Sequence, residues 1–311
     1  MGMLAKLKEG IMDRAWSIRT RVSWHVDEFR IRHALKADAD IRPVPEGKKL
    51  ILIPHPDDEW IGCSGIVSDV SEEAVFVDMD MSGDDSPQRH EARKAELAAV
   101  AGLFGRKVVR VSSDKVRALQ DILVREAPRY VAVPFFLDWH REHLEVIATL
   151  ARALGDTPPP DLGIVMYQVS VPILPPAVTH AVPLDKKAQQ RKWDVFSRYY
   201  PSQGYMPTER FRLCERINGK LVRSFAAEAY SVLPAGTWLD MVPTSIPDET
   251  MRNGMVKRLA SIHAMRCHAG EAFERLGLAT RFVALRTGKM TAIHMEPQSS
   301  NLECHAHHRT I

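Results

Sequence analysis

The sequence predicts an α/β fold in which a Rossmann-like, mostly parallel sheet is flanked by helices. Two observations carry this prediction. Short apolar segments typical of buried strands recur in the first half of the chain, at residues 50–54, 74–81, 107–111 and 130–137. Segments with a helical spacing of apolar residues follow or separate them, at residues 88–103, 115–126 and 142–154. A repeated strand-then-helix order is typical of a parallel sheet covered by helices.

An N-terminal helical extension is predicted over residues 1–45. Its apolar residues recur among basic ones, with eight Lys and Arg against four Asp and Glu up to Lys36, and Pro43 and Pro45 end the segment. Charged residues interrupt the apolar positions, so no secretory signal is expected. We expect the helix to pack on the body of the protein or on a second copy in a homo-oligomer, in preference to peripheral contact with a membrane surface.

Local sequence supports each element of the alternation in turn. The first strand, residues 50–54, reads LILIP and is wholly apolar. The helices over residues 88–103 and 142–154 are followed by Gly105 and Gly155, and glycine favours the backbone conformation that ends helices.

The later elements are less regular. A further strand is predicted over residues 164–171 and a charged helix over residues 184–199. Residues 212–233 have the pattern of a hairpin around the Asn218-Gly219 pair, because this dipeptide favours a tight turn between two strands. Beyond them the pattern predicts no definite element.

Length and composition fit one α/β domain with additions at both ends. At roughly 150 residues per domain, 311 residues allow an N-terminal extension (1–45), an α/β domain (46–233) and a C-terminal extension (234–311). The 42 Lys and Arg nearly balance the 39 Asp and Glu, for a net charge of +3. This is not the strongly basic balance of a nucleic-acid-binding protein, so no nucleic-acid partner is expected.

Cysteine positions bear on the cellular compartment, and proline positions bear on whether a segment spans a membrane. The cysteines are scattered without a CxxC pair, so neither a disulfide framework nor a zinc knuckle is indicated. A reducing compartment is favoured, and we predict a cytoplasmic protein, with membrane association left open. Residues 162–184 contain no Asp, Glu, Lys or Arg, but their prolines exclude a regular membrane-spanning helix. No transmembrane segment is predicted.

The first chemical motif directly follows the first strand. Residues 54–59 read PHPDDE and combine His55 with the carboxylates of Asp57, Asp58 and Glu59. Such a run is unfavourable unless a cation neutralises it, and His with Asp is a normal ligand set for zinc. Open α/β folds bind ligands at this edge of the sheet. The alternative is a solvated turn in which Asp57 or Asp58 caps the following helix.

A second motif follows the strand over residues 130–137. Residues 138–143 read DWHREH, and His140 and His143 are spaced so that both can face one point. Alone, this spacing is equally compatible with surface histidines. Together the two motifs supply the ligands, spare acid and spare imidazole of a hydrolytic zinc centre.

These residues resemble the LmbE-like (PIG-L) zinc-dependent deacetylases, which remove acetyl from substrates containing N-acetylglucosamine. The resemblance covers residues 48–232. Beyond the two motifs it extends through a set of further positions, Gly62, Arg93, Glu96, Tyr167, Lys192, Ser202 and Gln203.

The resemblance implies a role for each motif residue. His55, Asp58 and His143 would be the Zn²⁺ ligands, Asp57 the general base, and His140 a protonated imidazole that supports the oxyanion. The family has Asp before the last His of the second motif, whereas this chain has Glu142. The longer side chain is expected to change the geometry of a hydrogen bond near the metal.

Five further residues are candidate substrate contacts. Arg93, Asp84 of the acidic 82–86 loop, Trp139, Tyr167 and Gln203 offer charged, amide, hydroxyl and aromatic partners for a sugar. Several have structural alternatives. Arg93 can pair with an acid on its own helix face, Tyr167 can be a core residue with a satisfied hydroxyl, and Gln203 can belong to a helix terminator.

The function that the sequence favours is hydrolytic removal of acetyl from an N-acetylated sugar in a glycoconjugate or glycan precursor. One alternative is an amidase that acts on another sugar-linked amide. Another is a non-catalytic, metal-stabilised component of polysaccharide assembly. A dinucleotide oxidoreductase is disfavoured because HPDDE, and not GxGxxG, follows the first strand.

Overall fold

A computed structural model describes residues 2–81, 86–111 and 114–287, with side chains from Ile18 onward. Seven strands form one sheet in the order β3-β2-β1-β4-β5-β7-β6. The strands are β1 (Lys49–Ile53), β2 (Ala74–Asp78), β3 (Lys107–Arg110), β4 (Tyr130–Pro134), β5 (Gly163–Tyr167), β6 (His180–Leu184) and β7 (Ala226–Pro234). Pairing is parallel from β3 to β5, and β7 runs antiparallel to both β5 and β6. The predicted mostly parallel α/β fold is confirmed.

Eleven α-helices are present in the described part of the chain. They are α1 (Gly2–Ala34), α2 (Asp58–Ser68), α3 (Pro87–Leu103), α4 (Lys115–Glu126), α5 (Arg141–Leu154), α6 (Lys186–Tyr199), α7 (Thr208–Leu221), α8 (Ala235–Ser245), α9 (Glu249–Val256), α10 (Ile262–Arg275) and α11 (Leu278–Thr287). The helices predicted between the strands are confirmed as α3, α4 and α5, and the charged helix as α6.

The sheet separates two apolar layers because successive side chains of a strand point to opposite faces. Leu50 and Leu52 of β1 pack with α4, α5 and the C-terminal helices. Ile51 and Ile53 pack on the other face with α2, α3 and α6. Trp238 of α8 and other residues after β7 belong to the first layer, so the described C-terminal helices complete the same core as the sheet. The proposed domain boundaries remain predictions.

The predicted hairpin around Asn218-Gly219 is wrong. The helix α7 covers these residues, and Cys214, Ile217 and Leu221 are buried at helical spacing. Gly219 serves close packing: a Cβ there would lie 2.6 Å from the Cα of Ala226 at the start of β7. Helical periodicity and packing therefore override the turn preference of the Asn-Gly pair.

The predicted N-terminal helix is confirmed as α1. Trp24 packs with residues of α7 and α10, and the buried carboxylate of Asp27 accepts hydrogen bonds from Ser261 Oγ at 2.8 Å and the His263 amide at 3.1 Å. The expected packing on the body of the protein is therefore present. Among the described residues, no helix is long and apolar enough to span a membrane. The cytoplasmic location and the homo-oligomer stay predictions.

Candidate metal centre and active site

The two sequence motifs meet because their strands are neighbours in the sheet. Strands β1 and β4 pair in parallel, with Lys49 opposite Tyr130, so the residues that follow them leave the sheet at the same edge. The first motif continues into α2 and the second into α5. This edge is where open α/β sheets place their ligands.

Asp58 lies between two histidines from the different motifs. Its Oδ2 atom is 3.2 Å from His55 Nδ1 and 3.3 Å from His143 Nε2. Ligand atoms about 2.0–2.1 Å from a tetrahedral zinc ion lie about 3.3 Å from one another. All three side chains are buried, and both distances to Asp58 match the separation expected between two ligands of one zinc ion.

The charged forms of Asp58 and of the neighbouring histidines stabilise one another. Burial opposes ionisation of Asp58, but the His143 and His55 rings outweigh it and hold the pKa of Asp58 well below its usual range. Burial likewise lowers the pKa of His143, but the Asp58 and Asp138 carboxylates raise it well above the usual value. A cation placed among these groups would take over the role of the histidine protons.

His140 is a neighbour of the same group. Nitrogen atoms of His55, His140 and His143 all lie within 4.8 Å of one another, so a three-histidine ligand set is the alternative to the set with Asp58. Burial and the charges of His143 and His55 lower the pKa of His140 to about 4. The protonated imidazole expected at His140 stays a prediction.

Carboxylates orient two of the histidines. His143 donates from Nδ1 to Asp138 at 3.0 Å, while His55 Nε2 lies 2.5 Å from Glu142 Oε2. The longer Glu142 thus contacts His55, a candidate metal ligand that belongs to the first motif. Asp138, which the sequence analysis did not single out, orients His143. Its position directly after the β4 segment, at the carboxyl edge, is the signal that could have found it.

Asp57 is held in an unusual conformation beside this group. Its φ angle is 136°, a region costly for any residue other than glycine, and its amide donates to Glu59 Oε2 at 3.0 Å. Asp57 is the N-cap residue of α2, but its side chain makes no capping hydrogen bond, so the capping alternative is not observed for it. Burial, Asp58 and Glu59 raise its pKa well above the usual value.

Buried polar residues hold α2 in place through hydrogen bonds. Glu59 accepts a hydrogen bond from the Tyr200 hydroxyl, and burial raises the pKa of Glu59 to about 7. Lys192 donates to the Ile61 carbonyl at 2.7 Å and to Glu228 at 2.6 Å. These contacts anchor the first turns of the helix that carries Asp58.

The group opens into a cleft of about 650 Å³. The cleft is lined by His55, Asp57, Asp58, Arg89, Arg93, Trp139, His140, Arg141, Glu142, His143, Glu145, Val169, Ser170, Gln203, Tyr205 and Met206. Trp139, Arg93 and Gln203 therefore lie in the cleft wall, among the metal-site residues.

One wall of the cleft is a network of polar side chains joined by hydrogen bonds and a stacking contact. With its amide oxygen turned toward Arg93, Gln203 accepts from Nε at 2.8 Å and from Nη2 at 3.2 Å, and its NH₂ donates to the Tyr205 hydroxyl at 2.8 Å. The Arg89 guanidinium stacks on the Tyr205 ring, 4.9 Å from its centroid. Glu96 accepts from Ser202 at 2.8 Å and 2.6 Å, so in this network Glu96 holds the segment before Gln203.

Two of the candidate substrate residues do not lie in the described wall. Tyr167 is fully buried in the core, and its hydroxyl donates to the Leu52 carbonyl at 2.7 Å. It does not line the cleft, and a substrate contact is replaced by the structural alternative. Its ring packs so closely on Gly62 that a Cβ there would lie 2.4 Å away. Asp84 lies outside the described residues.

Comparisons with known proteins find similarity only among solved structures. No protein-family model matches the chain, and no curated protein matches it. The conserved protein TT1542 from Thermus thermophilus is 19% identical, with 59% of this chain and 93% of that chain covered and a TM-score of 0.48. A deacetylase triple mutant, Orf2*T, of the teicoplanin biosynthetic pathway is 13% identical, with 60% and 98% covered and a TM-score of 0.46.

A hydratase is also among the similar structures. GalB, the 4-carboxy-2-hydroxymuconate hydratase from Pseudomonas putida KT2440, is 14% identical, with 60% of this chain and 95% of that chain covered and a TM-score of 0.43. With identities below 20% and TM-scores below 0.5, these likenesses carry no weight on the reaction. What the site can do follows from its own residues.

Proposed function

We propose that the protein is a zinc-dependent hydrolase that removes the acetyl group from an N-acetylated sugar of a glycoconjugate or glycan precursor. The observation that carries the proposal is the position of Asp58 Oδ2, 3.2 Å from His55 Nδ1 and 3.3 Å from His143 Nε2. The neighbouring residue, Asp57, has a carboxylate that makes no helix-capping hydrogen bond. The motif resemblance to the LmbE-like deacetylases supplies the acetyl-sugar chemistry.

His55, Asp58 and His143 would hold the metal. A zinc ion there supplies Lewis acidity, which acidifies water and polarises an amide carbonyl. Asp138 keeps the His143 ring in its tautomer by accepting from Nδ1, so Nε2 is left as the ligand atom. Glu142 does the same for His55, whose Nδ1 faces Asp58.

Asp57 and His140 would move or hold protons. Asp57 lines the cleft with its carboxylate, where it would accept a proton from the attacking water and return it to the departing amine. His140 would donate a hydrogen bond to the oxygen that gains charge.

The cleft wall suits a sugar ring. Trp139 offers an aromatic face to the apolar side of a sugar, and Gln203 and Tyr205 offer amide and hydroxyl partners for its hydroxyl groups. We expect a small acyl group to be preferred. Release of amine from N-acetyl, N-propionyl and N-benzoyl glucosaminides would measure this preference, and equal rates for all three would contradict it.

Adjacent aspartates give the sharpest test of the roles. Asp57→Asn should keep zinc and lower turnover on the order of 10²- to 10⁴-fold, because only the base is lost. Asp58→Asn should lower zinc content, as should His143→Ala. Asp121→Asn, on the exposed surface of α4, is the matched control and should change neither quantity.

Zinc content and amine release separate the alternatives. Loss of zinc in a His140→Ala variant, with zinc retained in Asp58→Asn, would replace the proposed ligand set with the three histidines. Full zinc content with no amine release from any glucosaminide would favour the non-catalytic component. Amine release only from other sugar-linked amides would favour the alternative amidase.

A further inference from the structure

The helix α1 carries an exposed apolar stripe. Ile18, Val22, Val26 and Phe29 are 64%, 57%, 41% and 60% exposed. At 100° per residue, these four positions fall within an arc of about 80° on the helix surface. Singly exposed apolar residues are ordinary, but a contiguous row along three helical turns marks an interaction surface.

The stripe faces away from the body of the protein. On the opposite side of the helix Trp24 packs into the core cluster with α7 and α10, and Ile31 and Leu35 pack against it. Asp27 is held by Ser261 and His263. The helix is therefore docked through one side, and the other is left to solvent in the described structure.

Basic side chains flank the stripe on both edges. Helical spacing places Arg19 and Arg30 along one edge, and Arg21, His25 and Arg32 along the other. Within the described part of the chain, neither Arg19 nor Arg30 is in an ion pair. Arg21 and His25 pair with Glu209 of α7 at 3.5 Å and 2.8 Å.

Few acidic residues occur along this part of α1. Between Ile18 and Lys36 the sequence has only two, Asp27 and Glu28, and both are buried. Glu28 pairs with Arg32 at 2.9 Å. The exposed face is thus apolar in the middle, with Arg19 and Arg30 along one margin and ion-paired basic residues along the other.

This charge pattern decides whether a second copy of the chain or an anionic membrane is the better partner for the outward face of α1. A second copy pairing stripe to stripe would bring arginines of both helices together, and like charges across a helix pair are destabilising. An anionic bilayer complements the same surface, since its interface accepts the apolar row and its headgroups attract the arginines. We propose that the outward face of α1 is a docking surface for a membrane that contains anionic lipid.

A groove beside α1 and the cleft have two lining residues in common. Thr20, Arg21 and Trp24 of α1 line a groove together with Tyr205 and Met206, and those last two residues also line the cleft. The groove lies on the side of α1 that carries Trp24, opposite the exposed stripe. Docking at the stripe does not depend on which reaction the cleft performs.

The test uses the full chain and vesicles of two compositions. We expect cosedimentation with vesicles of phosphatidylcholine mixed with phosphatidylserine, little with phosphatidylcholine alone, and weaker binding as salt is added. Arg19→Gln with Arg30→Gln should weaken binding on the order of 30-fold. Val22→Ser with Phe29→Ser should weaken it on the order of 10- to 100-fold.

Matched controls come from another exposed helix. Val124 and Arg117 on α4 are 83% and 72% exposed, so Val124→Ser and Arg117→Gln should leave binding unchanged. Because the substituted residues of α1 are exposed, each variant should keep the unfolding temperature of the parent protein. The arginine variant removes no apolar contact, so it tests the surface even if the Val22 and Phe29 changes disturb the helix.

Three results would overturn the proposal. The first is no cosedimentation of the parent protein with either vesicle. The second is binding that all four substitutions on α1 leave unchanged. The third is a dimer in light scattering that the Val22 and Phe29 changes convert to a monomer without any vesicle binding, which would identify a second copy as the occupant.

Discussion

Replacing Lys192 by Met should destabilise the protein strongly, because the change strips the cation from a buried pair of carboxylates. The Lys192 side chain is 2% exposed, and its Nζ lies 2.7 Å from Glu215 Oε1 and 2.6 Å from Glu228 Oε1. Methionine matches the length of the lysine stem but supplies neither charge nor donors. Both carboxylates would then remain buried without their counter-ion, and the Ile61 carbonyl would lose its donor.

The magnitude follows from the cost of breaking a buried ion pair. Removing one partner of such a pair typically costs about 3–5 kcal/mol. Glu228 keeps four other donors, the Ser64 and Gly65 amides and the Ser64 and Tyr230 hydroxyls, which keep the cost within this range and not above it. At about 2.1 cal/mol/K of unfolding entropy per residue, this loss corresponds for 311 residues to a fall of about 5–8 °C in unfolding temperature.

The pH range of the effect has a definite sign. Burial opposes the charge on Lys192, but Glu215 and Glu228 outweigh it and raise its pKa above the usual value. A raised folded-state pKa means that the stabilisation is complete below the unfolded pKa and is lost only as pH rises through the folded one. The difference between parent and variant should therefore be constant around neutral pH.

Thermal unfolding followed by circular dichroism measures the change. Lys187→Met is the matched control, because Lys187 is exposed on the same helix, and it should shift the unfolding temperature little. If Lys192→Met shifted it no more than the control, the buried network would not stabilise α2 as argued.

Three further substitutions test other contacts. Asp138→Asn should weaken zinc binding about 10- to 100-fold, because the His143 ring loses its orienting carboxylate; competition with a chelator measures this, and unchanged affinity would contradict the assignment. Gly62→Ala should lower the free energy of unfolding by about 1–3 kcal/mol, since its Cβ would lie 2.4 Å from the Tyr167 ring; a denaturant midpoint equal to that of the parent would contradict this contact. Burial and the charge of Arg42 lower the pKa of His180 to about 4, so the unfolded state binds more protons as pH falls from about 6.5 toward 4, and stability falls over that range. His180→Gln should remove that part of the acid sensitivity, and parallel stability profiles against pH would count against it.

The meeting of the two motifs could be predicted because parallel strands deliver their following residues to one edge. The apolar runs before His55 and before Asp138 identified the strands, and their order identified the edge. Which carboxylate serves which histidine could not be predicted. That depends on how α5 is rotated about its axis, which directs Glu142 to His55 and leaves Asp138 to His143.

The errors have physical causes of a similar kind. The Asn218-Gly219 pair favours a turn only when no tertiary packing competes, and the apolar spacing of α7 outweighs it. Strand β6 was missed because Pro183 lies within it, and proline disfavours strands unless they lie at an edge, as β6 does. Tyr167 occupies the end of β5 as expected, but no local pattern tells which face of a strand its side chain points to.

The insertion of β7 between β5 and β6 has a consequence for synthesis of the chain. Strand β6 pairs along its length with β7 alone among the described strands, yet β7 is made more than thirty residues later, after α6 and α7. The growing chain must carry β6 without its partner strand while both helices leave the ribosome. One face of the sheet is also covered only in part, by α4 and α5, until α8 to α11 are complete. Assembly of this edge is therefore a late event, and a nascent chain stalled before β7 exposes an unpaired strand to chaperones and proteases.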